Sequence, residues 1–187
     1  MRTYRFTLRF AVPGRPLETA KALAQLGVRG GGDGVTAGKA KRGRVALAFV
    51  REARNAEIAM LDAIRDVQSA CAGARFVEAG PDLVGLSDLP RLAGCSRQNL
   101  RIRALRDFGF PLAVHEGRPE LFHLVEVLRW IRLQRRWRAP IALVEVADAA
   151  RQLNLARQLH GVRGWRIPRR LQPRPLQSVA PTMTSGP

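Results

Sequence analysis

An α+β fold is predicted, on three observations. Residues 3–12 (T-Y-R-F-T-L-R-F-A-V) alternate apolar and polar side chains with the period of two that a half-buried strand requires. Residues 55–72 and 141–160 repeat apolar residues at steps of three and four, the period of a helix. Between them, residues 86–131 set two short apolar-faced segments around Gly94, then a turn-rich stretch, then a third helical pattern.

The N-terminal part can be taken in order. In the first strand Tyr4, Phe6, Leu8 and Phe10 share one face, and Arg5, Thr7 and Arg9 share the other. Pro13, Gly14 and Pro16 end it. Residues 16–27 read as a short helix along Leu17, Ala20, Leu23 and Ala24, stopped by Gly27. Residues 29–43 are rich in glycine, but Asp33 and Ala40 stand where a Walker A loop needs Gly and Ser or Thr. The stretch is therefore read as a loop and a hairpin turn, with residues 35–38 as a short strand. Residues 44–51 make the next strand, with Val45, Leu47 and Phe49 on one face. Asn55 caps a helix whose first turn holds Glu57, favoured by the helix dipole. Met60, Leu61, Ile64, Val67 and Cys71 form its apolar stripe, Gly73 ends it, and residues 74–79 make a last strand.

Strand, helix, strand, strand, helix, strand is the split βαβ, or ferredoxin-like, order, expected here over residues 1–80. The face of such a sheet left open by its helices carries Arg5, Thr7, Arg9, Arg44, Ala46 and Ala48. None of these is aromatic, so nothing there stacks a base. A subunit or partner contact is expected in preference to RNA.

Gly80, Pro81 and Asp82 are the joint to the second unit, residues 83–138. Ser87 can N-cap a first helix whose apolar face is Leu89, Leu92 and Ala93. Gly94 permits a positive φ and turns the chain. Ser96 caps a second helix pinned by Leu100 and Ala104, with Arg97, Gln98, Arg101 and Arg106 on its outer face. Residues 110–124 then read as a hairpin around Gly117, Arg118 and Pro119, with Val114 and Phe122 packing across it. Leu124, Val127, Leu128 and Ile131 bury one side of a closing helix, with Trp130 beside them.

This is a helix-turn-helix followed by a wing. L-x-x-L-A-G-C-S-R-Q-N-L, a Phe-Pro hairpin and E-V-L-R-W-I resemble the winged helix-turn-helix of MerR-type regulators, small phage excisionases and AlpA-type prophage regulators. The similarity covers residues 86–131, about a quarter of the chain. It departs at Pro90, where a small residue is usual, and at Arg103, where an apolar one is. The resemblance implies a second helix in the major groove and a wing along the DNA backbone. The contact set it implies is Ser96, Arg97, Gln98, Arg101 and Arg106 on the helix and Arg118 on the wing.

Pro140 restarts the chain, and residues 139–160 hold an amphipathic helix with Leu143, Val146, Ala150 and Leu153 at three- and four-residue steps. It either folds back onto the core or pairs with a second subunit. Residues 161–187, rich in Pro, Arg, Ser and Gly, are expected to form a disordered basic tail.

The 187 residues carry 32 Lys and Arg against 15 Asp and Glu, a net charge of +17. That balance points to a polyanionic partner, nucleic acid before an anionic membrane. Nearly all the positive charge is arginine, suited to phosphate and guanine. Cys71 and Cys95 form no metal-ligand pair and read as buried thiols in a reducing compartment. Arg5 and Arg9 interrupt the first apolar stretch, so it is not a signal peptide, and no run reaches membrane-spanning length.

His115, His123 and His160 show no zinc-ligand spacing, Glu116 and Glu120 flank the wing turn, and no nucleophile elbow is present. A non-enzyme without cofactor or metal is expected. The reading is a cytoplasmic, nucleoid-associated transcriptional regulator that binds double-stranded DNA as a homodimer. The alternative is a non-catalytic interaction module, such as an antitoxin-like or excisionase-like accessory factor of a mobile element.

Overall fold

The computed structural model describes residues 1–13, 34–37, 43–90, 96, 98, 100, 102, 106–134 and 139–161. The expected helix over 16–27, the basic tail beyond 161, Cys95, Arg97, Arg101 and Arg103 lie outside the described residues. The architecture is mixed α+β: two antiparallel sheets and, among the described residues, three helices.

The larger sheet has the order β2-β3-β1-β4, with β1 Arg2–Ala11, β2 Gly34–Ala37, β3 Arg44–Ala53 and β4 Arg75–Gly80. All its pairings are antiparallel. β1 runs the length of β3, from Arg2 opposite Ala53 to Ala11 opposite Arg44. The alternation in β1 decides which side is covered. Tyr4, Phe6, Leu8 and Phe10 are all buried, as are Val45, Leu47 and Phe49 opposite them. Phe6 stacks on Phe49 across the pair at 5.4 Å between centroids.

Helix α1, Ala56–Ala70, lies on this face through Ala59, Met60, Ala63 and Val67. Its start is set by Asn55, whose Oδ1 accepts from the backbone N–H of Ile58 at 2.8 Å. That satisfies one of the first-turn donors that lack an intrahelical acceptor. Gly73, at φ +84°, turns the chain back toward β4.

The C-terminal helix α3, Ile141–Gly161, folds back onto the core. Val146, Ala149 and Ala150 pack on the sheet beside α1. Ala147, with Leu143 and Val144 against it, joins the second apolar cluster instead. At about 100° per residue these two sides of α3 are roughly a third of a turn apart. Ion pairs from Arg151 to Glu126 and from Arg129 to Asp148 flank the second side. The helix is thus shared between the sheet and the element that follows it.

The second cluster surrounds α2, Leu124–Leu133, whose Leu124, Val125, Val127, Leu128, Trp130 and Ile131 are all buried. The expected joint at residues 80–82 continues into a short strand, β5 Leu83–Val84, paired with β6 Phe122–His123. β5 carries too few residues for any periodicity to mark it; its partner decides its conformation.

Among the described residues no helix is long and apolar enough to cross a membrane.

Candidate nucleic-acid interface

Leu89 and Pro90 are helical, as are Gln98, Leu100, Ile102 and Arg106. The backbone N–H of Leu100 donates to the carbonyl of Ser96 at 3.0 Å, the first-turn bond expected for a helix starting there. Leu89 and Leu100 have no exposed surface and join the cluster around α2. Burying Leu100 points the opposite side of its helix outward. On a wheel of about 100° per residue, Gln98, Ile102 and Arg106 lie at roughly 160°, 200° and 240° from Leu100. All three are exposed.

Ile102, 41% exposed, sits in the middle of this stripe. It was not among the expected contact residues. Its i+4 relation to Gln98 and i−4 relation to Arg106 are the signal that finds it.

Asp107 fastens the end of this segment to α2. Its carboxylate accepts from the Trp130 indole at 2.9 Å and from the Gly109 backbone N–H at 2.8 Å. Phe110 then packs edge-on against both Phe122 and Trp130, at 5.4 and 5.0 Å between centroids.

The hairpin follows. The N–H of Val114 donates to the Leu121 carbonyl at 2.8 Å, and the N–H of Leu121 to the His115 carbonyl at 3.0 Å. This leaves residues 116–120 as the tip, with Glu116, Arg118 and Glu120 all exposed. The expected packing of Val114 on Phe122 is not found. Val114 is 53% exposed, because Phe110 already covers Phe122.

Of the expected contact residues, Ser96, Gln98 and Arg106 are therefore exposed, the last two helical, and Arg118 is exposed on the hairpin tip. A cleft of about 650 Å³ separates the end of that segment from the hairpin, lined by Arg106, Phe108, Leu112, Glu116, Glu120 and Phe122 among others. Phe108 and Leu112 stand almost wholly in solvent on its rim.

The root of the hairpin is held by a buried polar network. Asp82 meets His123 Nδ1 at 2.8 Å, and its other oxygen accepts from Asn154 Nδ2 at 2.8 Å. The Asp82 carbonyl also accepts from the Leu124 N–H, the first residue of α2. With a carboxylate at Nδ1, the imidazole carries its proton there. Asn154 reaches further: Oδ1 accepts from the Ala79 N–H at 2.8 Å, and Nδ2 donates to the Ala79 carbonyl at 2.9 Å. Its carboxamide thus pairs with edge strand β4 as a neighbouring peptide group would. Asp82 and Asn154 were missed as site residues. Asn154 continues the stripe of Val146 and Ala150 at a spacing of four, and a polar residue on an apolar stripe is the available signal.

The described residues hold no group of three His, Cys, Asp or Glu side chains that would bind a metal ion. No protein-family model, no curated protein and no solved structure matches the chain.

Proposed function

We propose that the chain is a sequence-specific DNA-binding regulator that reads the major groove with the helical segment bearing Gln98 and Arg106 and steadies itself with the hairpin bearing Arg118. The observation that carries this reading is the burial of Leu100 against α2 with Gln98, Ile102 and Arg106 turned outward. An exposed helical stripe beside a hairpin with a cation at its tip supports the winged helix-turn-helix reading. The net charge of +17 supplies the long-range attraction to a polyanion. The same reading takes residues 1–80 as a ferredoxin-like unit, supported by the antiparallel order β2-β3-β1-β4. Gln pairs bidentately with adenine N6 and N7, Ile102 offers an apolar contact for a thymine methyl, and Arg118 meets phosphate.

Binding-site selection from a random DNA library tests the reading. Gln98→Ala should cost roughly 1–3 kcal/mol and relax the choice at one base position. Arg118→Ala should weaken all sequences about equally. Selection of no site by the wild-type chain, or an unchanged site for Gln98→Ala, refutes base reading by this segment.

One observation favours a second reading, a protein-interaction module. Phe108 and Leu112 form an apolar rim beside Glu116 and Glu120 on the cleft. Such a surface suits a basic, apolar peptide rather than a phosphate backbone. On this reading the double variant Phe108→Ser/Leu112→Ser removes the protein contact, and the wild-type chain selects no DNA site.

A further inference from the structure

The open side of the large sheet is a lattice whose rows follow from strand register. Arg44, Ala11 and Arg75 lie side by side in one row. The next row on the same face is Ala46, Arg9 and Glu78, followed by Ala48, Thr7 and Gly80. Beyond it Arg5 stands opposite Val50, and in the last row Thr3 stands opposite the exposed Glu52. The bulge between Arg9 and Phe10 matters here. It seats Phe76 beside Phe10 on the covered face, where the rings meet edge-on at 6.1 Å, and so turns Arg75 outward.

The floor is therefore built mostly of small side chains, and its posts are four arginines with two acidic residues, Glu78 and Glu52, among them. Arg9 is held by Glu78 at 2.9 Å. Arg5, Arg44 and Arg75 are exposed and have no ion-pair partner among the described residues. With strands about 4.8 Å apart, Arg44 and Arg75 stand roughly 10 Å apart across Ala11. Arg5 lies about 20 Å further along β1 at about 3.4 Å per residue. That span exceeds the roughly 12 Å width of a B-DNA major groove, so the two ends can meet phosphates on both of its sides.

We infer that this sheet face is a second duplex-DNA surface, one that holds the phosphate backbone without reading bases. The inference rests on the DNA-binding reading above only for the identity of the polyanion. Charge complementarity selects the occupant. A second copy of the same face would set arginine rows against arginine rows. A single strand would need aromatic side chains for its bases, and the rows contain none. A backbone contact needs an excess of cations over small floor residues, and the register provides four arginines against two carboxylates, one of them already paired with Arg9.

The test uses the full chain and the triple variant Arg5→Ala/Arg44→Ala/Arg75→Ala, beside Gln98→Ala/Arg118→Ala. Binding to a random-sequence duplex is measured from 50 to 200 mM salt. Losing three phosphate contacts should lower the log–log salt slope by about 2.7, so the variant loses roughly 40-fold less affinity over that range than wild type. Its site preference should be unchanged. The charge-keeping triple Arg→Lys variant should retain the wild-type slope, which separates lost contacts from a damaged fold. An unchanged slope in the Ala variant, or tighter binding of single strands than of duplex, overturns the proposal. So does a wild-type dimer that the Ala variant converts to monomer in sedimentation, since the face then belongs to a second copy. If Gln98→Ala/Arg118→Ala leaves binding intact while the sheet variant weakens it, the helix reading fails and the sheet surface stands.

Discussion

Asn154→Ala should be among the most damaging single substitutions available away from the large apolar side chains. Asn154 is only 7% exposed, and its carboxamide satisfies three groups: the Ala79 N–H, the Ala79 carbonyl and one Asp82 oxygen. Ala79 has no exposed surface. A buried donor or acceptor left without a partner costs about 1–3 kcal/mol, and Asp82 keeps His123 on its other oxygen. The two orphaned backbone groups and the half-released carboxylate together give a loss of about 3–5 kcal/mol. For a slope near 2 kcal/mol per molar urea, the unfolding midpoint should fall by about 1.5–2.5 M. Asn154→Asp should be worse still. It replaces the donor facing the Ala79 carbonyl and the Asp82 carboxylate with a third acceptor, and adds a buried negative charge. Urea unfolding followed by circular dichroism, with hydrogen exchange at Ala79 and Leu124, measures both effects. If either variant stays within 1 kcal/mol of wild type, the network does not join the sheet to the hairpin root as argued.

Three further outcomes are expected. Leu100→Ala should cost about 2–5 kcal/mol, as a fully buried leucine does, and should free the Gln98–Arg106 stripe; near-wild-type thermal stability counts against the packing described. Tyr4→Phe removes a hydrogen bond to Glu145 of 2.5 Å, which, ahead of Arg2, holds that carboxyl below its ordinary range. Stability from Glu145 is therefore present at neutral pH and lost as pH falls through its depressed folded value, so the Tyr4→Phe deficit of about 1.5–3 kcal/mol should close in acid. Burial, first among its causes, pushes the Tyr4 hydroxyl up, so wild type should also lose stability as pH rises past the ordinary tyrosine value of 10.0. A deficit constant from pH 3 to 8 refutes the assignment. Finally, a fragment of residues 1–82 lacks Val146, Ala149 and Ala150, exposes the covered sheet beneath them, and should melt well below the full chain; equal melting temperatures show that α3 is dispensable.

Much of the secondary structure could be read from periodicity alone. The alternation of Tyr4, Phe6, Leu8 and Phe10, the Asn55 cap and the Leu124–Ile131 stripe are all local patterns, and each holds in the fold. A chain segment chooses helix or strand by presenting its apolar groups to one side, and that choice is written in neighbouring residues. The same logic marked Leu100 as an inner residue and Gln98 and Arg106 as outer ones. Periodicity cannot say what a segment packs against. β5 is a strand only because Phe122 and His123 lie beside it. Val114 is exposed because Phe110, four residues earlier, takes the place on Phe122. α3 serves both clusters, and Asn154 acts as the missing neighbour of β4, through contacts with residues about 75 positions away. The rows of arginine on the open sheet depend on a one-residue bulge in β4, which turns Arg75 outward beside Ala11. Local spacing determines which side of each element is apolar; long-range register and packing decide which charged and polar groups come together.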